Sequence, residues 1–160
     1  MSMTCCLVAV EKAELDSFVS GREDFFEFMT DEKNDQRVVD LDKSWQIIHY
    51  GLTGSEFDAS TKLGMAIMGG EEFGEDSGYG PARYIGADLV KGISAELSKI
   101  SKNGLNQLLR SKSKEMVDVY CFDPDDAETG IEYAVGYFGA LVEAYRQASR
   151  AGQSMIVCLV

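Results

Sequence analysis

The chain has 160 residues, 45% of them hydrophobic and 26% charged, and it carries a net charge of −12 with a pI of about 4.4. This length and composition are typical of one globular domain that buries its core without a metal or a disulfide framework. The negative charge excludes a nucleic-acid binder and a protein of anionic membrane surfaces, because both need clustered cations.

The four cysteines, Cys5, Cys6, Cys121 and Cys158, form no C-x-x-C pair, and three of them lie in apolar runs. The first ten residues lack the basic start and the long apolar core of a signal peptide. No apolar run approaches the roughly 18 residues that a membrane span needs. We therefore expect buried free thiols in a reducing cytoplasm.

The first quarter of the chain begins with a short, apolar, β-prone run at residues 4–10, TCCLVAV, which predicts a buried strand. Residues 11–19 then place apolar side chains on one side of a short helix. Residues 23–29 hold three phenylalanines among acidic residues and form either a second short helix or an aromatic loop. A polar connection at residues 30–37 follows.

The central stretch, residues 40–54 (DLDKSWQIIHYGLTG), contains the only tryptophan and the only histidine of the chain. Apolar side chains at i, i+4, i+7 and i+11 predict a helix that packs into the core: Leu41, Trp45, Ile48 and Leu52. Asp40 stands where an N-cap belongs, and Gly51 is placed to end the helix in a left-handed conformation.

Three polar residues share the flank beside this apolar stripe: Asp42, Gln46 and His49. A carboxylate, an amide and an imidazole on one flank could form a small polar site, with His49 as a general base. They could equally be surface residues beside one ordered histidine, since perturbed or clustered polar groups only suggest a site. The sequence leaves both interpretations open.

The second half of the chain opens with an apolar segment of undetermined type at residues 63–68, followed by a glycine-rich and acidic loop at residues 69–80. Apolar stripes then predict three helices, at residues 89–100, 105–114 and 131–148. The third of these is the longest helix that the pattern predicts.

Two further strands complete the predicted elements. Alternation of apolar and polar side chains predicts a half-buried strand at residues 116–122, and SMIVCLV at residues 154–160 predicts a final buried strand. Strands at both ends, one in the middle and helices between them predict an α+β fold. We expect a single domain over residues 1–160, in which several helices pack against a small, mostly antiparallel sheet and the terminal strands are neighbours.

Metal and nucleotide motifs are incomplete. GGEEF at residues 69–73 matches the signature loop of diguanylate cyclases, but GEDSGYGP after it cannot be the buried strand that this signature needs. Asp123, Asp125 and Asp126 resemble the start of a calcium loop, yet Ala127 takes the place of the next ligand. One histidine and scattered cysteines offer no zinc spacing. We therefore predict no metal and no cofactor.

Arg83 and Tyr84 directly follow the glycine-rich loop. In one interpretation they bind an anion or a carboxylate, for which a guanidinium is well suited. In the other, Arg83 anchors the loop and Tyr84 packs against the core. We favour the second interpretation and keep both residues as candidates.

Two blocks, DLDKSWQIIHYGLTG and LGMAIMGGEEFGEDSGYGPARYI, followed by VYCFDPDD and the final helix and strand, resemble the bacterial YfbM-like family of small proteins of unknown function (domain of unknown function 1877). The resemblance covers most of the chain, roughly residues 3–158. The family pattern maps onto Asp42, Lys43, Trp45, His49, Gly51, Gly54, Gly69, Gly70, Gly78, Tyr79, Gly80, Pro81, Ala82, Arg83 and Tyr84. The chain departs from it at Gly86 and Ala87, where the family usually has a Thr/Ser-Pro helix start.

The resemblance implies an α+β fold and a bacterial cytoplasmic protein, but no reaction, and we assign no catalytic residue. Some small acidic families of this kind are immunity proteins that accompany secreted toxins. The candidate binding residues come from the two matching blocks: Asp42, Lys43, Trp45, His49, Tyr79, Arg83 and Tyr84.

Two classes of function are consistent with these observations. We favour a non-catalytic protein-binding module, such as an immunity protein that neutralises a basic toxin, because the charge is high and no catalytic motif is complete. The alternative is a small-molecule-binding domain or an enzyme with a site around His49, Asp42 and Arg83. An acidic mimic of nucleic acid would need a regular array of carboxylates, which here are spread over loops. The sequence does not indicate the oligomeric state.

Overall fold

A five-stranded antiparallel sheet forms the centre of the computed structural model, which describes residues 2–160. The strands are β1 (Cys5–Val10), β2 (Val38–Asp40), β3 (Glu71–Phe73), β4 (Ala82–Ile85) and β5 (Ser154–Leu159). The helices are α1 (Lys12–Val19), α2 (Phe25–Thr30), α3 (Trp45–Thr53), α4 (Lys62–Met68), α5 (Ala87–Leu97), α6 (Lys102–Lys112) and α7 (Ala127–Ala151). The predicted α+β, single-domain class is confirmed.

The two terminal strands pair with each other along their whole length, as the sequence predicted. The strand order is β2-β1-β5-β4-β3, and Leu7 of β1 lies opposite Val157 of β5. Both strands are nearly continuous apolar runs because helices cover both faces of the sheet. The edge strands β2 and β3 have three residues each, and such short edges offer little backbone for unwanted pairing.

The sheet separates two apolar cores of unequal size. The larger core lies between one face of the sheet and helices α3 to α7, and it contains Leu7, Trp45 and Val157. The smaller core lies on the opposite face under α1 and α2, and it contains Phe18, Phe25 and other buried side chains of the adjacent strands. Among residues 2–160, every helix falls short of the length and apolar character that crossing a membrane requires.

The predicted strand at residues 116–122 is wrong. This segment consists of turns, and Cys121 adopts a positive φ of 57° that no regular strand contains. Met116, Val119 and Phe122 are the buried apolar residues, so burial repeats every three residues rather than every two. The alternation of apolar and polar residues in this segment therefore does not reflect a strand. The segment is a series of turns that covers one end of the larger core.

The loop prediction at residues 69–80 is wrong in part, because β3 lies inside it and pairs with β4. Two of the three residues of β3 are exposed, so composition gave no apolar signal. The short strand β2 was also missed. The polar connection before it contains a 3-10 helix, Glu32–Arg37.

Both predicted ends of the central helix need correction. Asp40 belongs to β2, and its carboxylate accepts a hydrogen bond from the Asp42 backbone N–H at 2.7 Å. A 3-10 turn at Asp42–Ser44 precedes α3, which ends at Gly54 with a left-handed φ of 77°. Gly51 lies inside the helix, where an added Cβ would stand 2.8 Å from Leu105 Cδ1. Close packing of α6 therefore explains this glycine.

Candidate functional site

Asp42 and Lys43 connect the turn before α3 to the long helix α7. The Tyr133 hydroxyl donates a hydrogen bond to the Asp42 carboxylate at 2.7 Å and accepts one from the Lys43 backbone N–H at 3.1 Å. Burial and the Asp42 carboxylate both raise the pKa of Tyr133 well above its usual range. Neither contact involves His49, so Asp42 and His49 do not form a pair.

Trp45 is a core residue. Its side chain is 1% exposed, its ring lies 6.1 Å from that of Tyr120, and its Nε1–H donates to the Met3 carbonyl at 3.3 Å. The indole thus fills the larger core and holds the segment before β1 through its one polar atom.

His49 is completely buried, and neither of its ring nitrogens has a hydrogen-bond partner within residues 2–160. Burial is the main cause that lowers the pKa of His49 to about 4; Asp58 opposes this shift, and the Arg83 charge adds a smaller lowering. The imidazole is therefore neutral at pH 7 and closed off from solvent.

Gln46, the third residue of the predicted polar flank, is bonded elsewhere. Its amide oxygen accepts from the Tyr120 backbone N–H at 2.6 Å, and its Nε2 donates to the Glu56 carbonyl at 3.3 Å. Of the three side chains that share a flank in the sequence pattern, Asp42 and Gln46 thus bond to different parts of the fold, and His49 bonds to neither of them.

Arg83 binds the end of helix α4. Its guanidinium donates to the carbonyls of Met68 at 2.6 Å and Ile67 at 3.1 Å, and the Tyr145 hydroxyl donates to Ala66 at 2.7 Å. These donors satisfy carbonyls that the last turn of a helix leaves unpaired, and the cation opposes the negative end of the helix dipole. Burial lowers the pKa of Arg83.

Tyr84 lies on the opposite face of the sheet, where its hydroxyl donates to the Glu71 carboxylate at 2.5 Å. Tyr79 lies beside Arg83 and Glu72 in a shallow cleft of about 180 Å³. The structure therefore brings Tyr79 and Arg83 together and separates both from Tyr84.

Replacing Arg83 with methionine is expected to lower the free energy of unfolding by about 2 kcal/mol, because two carbonyl acceptors lose their partner. The free energy of unfolding of Arg83→Lys should lie between those of Arg83→Met and the unchanged protein, since an ammonium keeps the charge but not the forked geometry. Urea unfolding followed by tryptophan fluorescence measures both effects. Unchanged stability in Arg83→Met would contradict the helix-end role.

Sequence reasoning missed a groove of about 460 Å³ between helices α1 and α2 and the loop that follows β3. Its floor is aromatic and its rim is acidic. The floor is formed by Phe18, Phe25, Phe26 and Phe73, and the rim by Glu23, Asp24, Glu75 and Asp76. The two halves are about fifty positions apart in the sequence, and only the pairing of β3 with β4 and β4 with β5 places them together.

The rim carboxylates are not neutralised by any cation among residues 2–160. Asp24 caps α2 by accepting from the Glu27 backbone N–H at 2.9 Å, and Asp76 accepts from two backbone N–H groups of its own loop. Glu23 and Glu75 take part in none of the side-chain hydrogen bonds or ion pairs of this region of the structure. The nearest cation along the chain, Arg22, donates to Ser20 Oγ at 3.1 Å instead.

Most of the net negative charge of the chain comes from the part of the sequence that contains the four acidic residues of this groove. Seventeen of the 27 acidic residues but six of the 15 basic residues lie at positions 11–76, which gives this part −11 of the total of −12. A second, more open cleft adjoins the groove and shares Glu23 and Asp24 with it. Within residues 2–160, no three acidic, histidine or cysteine side chains are placed to hold a metal ion.

Comparisons with known proteins agree with the fold and leave the function open. A family model described as "Domain of unknown function (DUF1877)" matches residues 1–158. The crystal structure of YfbM from Escherichia coli, a protein of unknown function, is similar, with a TM-score of 0.73, 16% sequence identity and coverage of 98% of this chain and 99% of that chain. No curated protein matches.

Proposed function

The chain belongs to the DUF1877 family, whose function is unknown, and we propose that it is a non-catalytic protein-binding module that captures a basic protein. The observation that carries this proposal is the groove with an aromatic floor and a rim of four carboxylates, none of which pairs with a cation of the described residues 2–160. Aromatic side chains supply contact area, and unpaired acids at the rim select a partner of opposite charge.

The distribution of charge supports the same conclusion. A protein with a net charge of −12, of which −11 comes from residues 11–76, attracts a cationic protein from a distance and speeds the encounter. Such steering weakens as salt shortens the range of the field, to about 3 Å at 1 M. Binding is therefore expected to be fast and strongly dependent on ionic strength.

The finer form of the proposal is an immunity protein that neutralises a toxin. A protein that inhibits by binding needs no catalytic group of its own, and a small acidic domain suits a basic toxin. In that case the partner is a toxic enzyme whose activity falls when the complex forms.

The geometry gives less support to a small-molecule site around Asp42, His49 and Arg83. Asp42 is bonded to Tyr133, Arg83 is bonded to the end of α4, and His49 is fully buried. Asp42 and Arg83 thus hold two separate parts of the fold, and His49 is closed to a substrate in this conformation.

Affinity capture from a lysate of the source cell tests the proposal. At low ionic strength, the tagged protein is expected to retain a basic protein in near-stoichiometric amount and to release it at about 1 M salt. The double variant Glu23→Gln/Glu75→Gln should retain much less of it. Glu115→Gln/Glu132→Gln removes the same number of exposed charges outside the groove and is the matched control.

Two outcomes would contradict the proposal. Recovery of the protein alone at low ionic strength is the first. A partner that both double variants retain equally is the second, because binding would then not use the groove.

A further inference from the structure

The layer formed by α1 and α2 already binds one arginine of this chain. Arg37 donates to both carboxylate oxygens of Glu14, at 2.7 and 2.9 Å, and to the Ala9 carbonyl at 3.0 Å. Its guanidinium carbon lies 5.0 Å from the centre of the Phe28 ring. Arg37 is therefore bound by two groups at once: the Glu14 carboxylate, through two parallel hydrogen bonds, and the face of the Phe28 ring.

The groove presents the same two kinds of group without a cation. Phe25 and Phe73 line it with ring centres 5.9 Å apart, and Phe26 extends the aromatic surface. Glu23 and Glu75 stand at its rim, and neither carboxylate forms an ion pair in the part of the chain that the structure describes. We propose that the groove binds the side chain of one arginine of the basic partner, in the manner in which Glu14 and Phe28 bind Arg37.

This inference rests on the proposed function and names the group of the partner that the groove recognises. Arginine fits better than lysine for two reasons. Its planar guanidinium stacks on an aromatic ring, and its forked donors match a carboxylate. The guanidinium is also less strongly hydrated than an ammonium group, so it loses less hydration free energy when it enters an aromatic pocket. Its aliphatic stem contacts the phenyl rings while its charge stays at the rim.

The test is a titration of the ¹⁵N-labelled protein with the peptide acetyl-Gly-Arg-Gly-amide, followed by two-dimensional NMR. We expect saturable shifts of the backbone amides at residues 23–26 and 73–76. The peptide with citrulline, which has the shape of arginine without its charge, should bind about tenfold more weakly, and the lysine peptide several-fold more weakly.

Variants connect the shifts to the groove. Glu23→Gln/Glu75→Gln should lower the affinity for the arginine peptide about tenfold, whereas the matched control Glu115→Gln/Glu132→Gln should leave this affinity unchanged. All four positions are exposed, so the amide spectrum of each variant is expected to show an intact fold. Equal binding of the citrulline peptide, or shifts spread evenly over the acidic surface, would overturn the inference.

The result also separates this inference from the function on which it rests. If the peptides bind alike while lysate capture is salt-sensitive and depends on Glu23 and Glu75, the arginine inference fails and the binding function stands. If the arginine peptide binds in the groove but no partner is captured, the groove recognises arginine and the capture of a basic protein fails.

Discussion

Replacing Trp45 with alanine is expected to lower the free energy of unfolding by about 3–5 kcal/mol, because the change leaves a large cavity in the main core. The indole is 1% exposed and packs between β1 and the segment that contains Tyr120. Its loss also frees the Met3 carbonyl, which accepts the indole hydrogen bond. Urea unfolding measured by far-UV circular dichroism gives the value, because the variant has no tryptophan fluorescence.

Trp45→Phe separates packing from hydrogen bonding. It keeps much of the aromatic volume and loses the donor to Met3, so a loss of about 1–2 kcal/mol is expected. The family-derived interpretation of Trp45 as a binding residue makes the opposite prediction. If Trp45→Ala unfolded at the urea concentration of the unchanged protein and lost partner capture, the residue would belong to an interface.

The elements that the sequence predicted well are those whose burial is set by local periodicity. Strands β1 and β5 are covered on both faces, so every position except Ser154 is apolar, and each strand forms a clear apolar run in the sequence. Helix α7 keeps one apolar face over 25 residues. Short edge strands such as β2 and β3 have too few buried residues to form a pattern, and their existence depends on a neighbour that the local sequence does not specify.

The site could not be predicted in the same way, because it depends on contacts between distant segments. Asp42 and His49 seemed to share a helical flank, but the helix begins only at Trp45, and Asp42 faces α7 instead. The groove unites FFEF near position 26 with Glu75 and Asp76 through the order of the strands. The acidic residues can be read from the sequence, but the aromatic groove that they surround cannot, because distant segments form it.

The stability of the protein is expected to fall by about 3 kcal/mol between pH 6.5 and pH 4 through His49 alone. Burial lowers the pKa of His49 in the folded protein to about 4, against 6.5 for an ordinary histidine. Within this window the unfolded chain binds a proton that the folded protein excludes. Acid therefore favours the unfolded state, and the stabilising effect of the neutral imidazole is complete only above pH 6.5.

His49→Leu isolates this contribution, because leucine has a similar volume and does not titrate. At pH 7 the variant is expected to match or slightly exceed the unchanged protein in stability, since a buried imidazole without hydrogen bonds is replaced by an apolar group. As the pH falls, the difference between the two free energies of unfolding should widen by about 1.4 kcal/mol per pH unit. The many carboxylates titrate in both proteins, and their effect cancels in the difference.

The single histidine also allows a direct measurement, because the imidazole Cε1–H resonance of the folded protein belongs to one residue. We expect it to stay close to the neutral position down to about pH 5 and then to shift. A midpoint near 6.5, together with parallel stability curves for His49→Leu and the unchanged protein, would mean that solvent or a ligand reaches His49. Such a result would return His49 to the set of binding residues, whereas a midpoint near 4 assigns it to the core and leaves the acidic groove as the surface to which a partner binds.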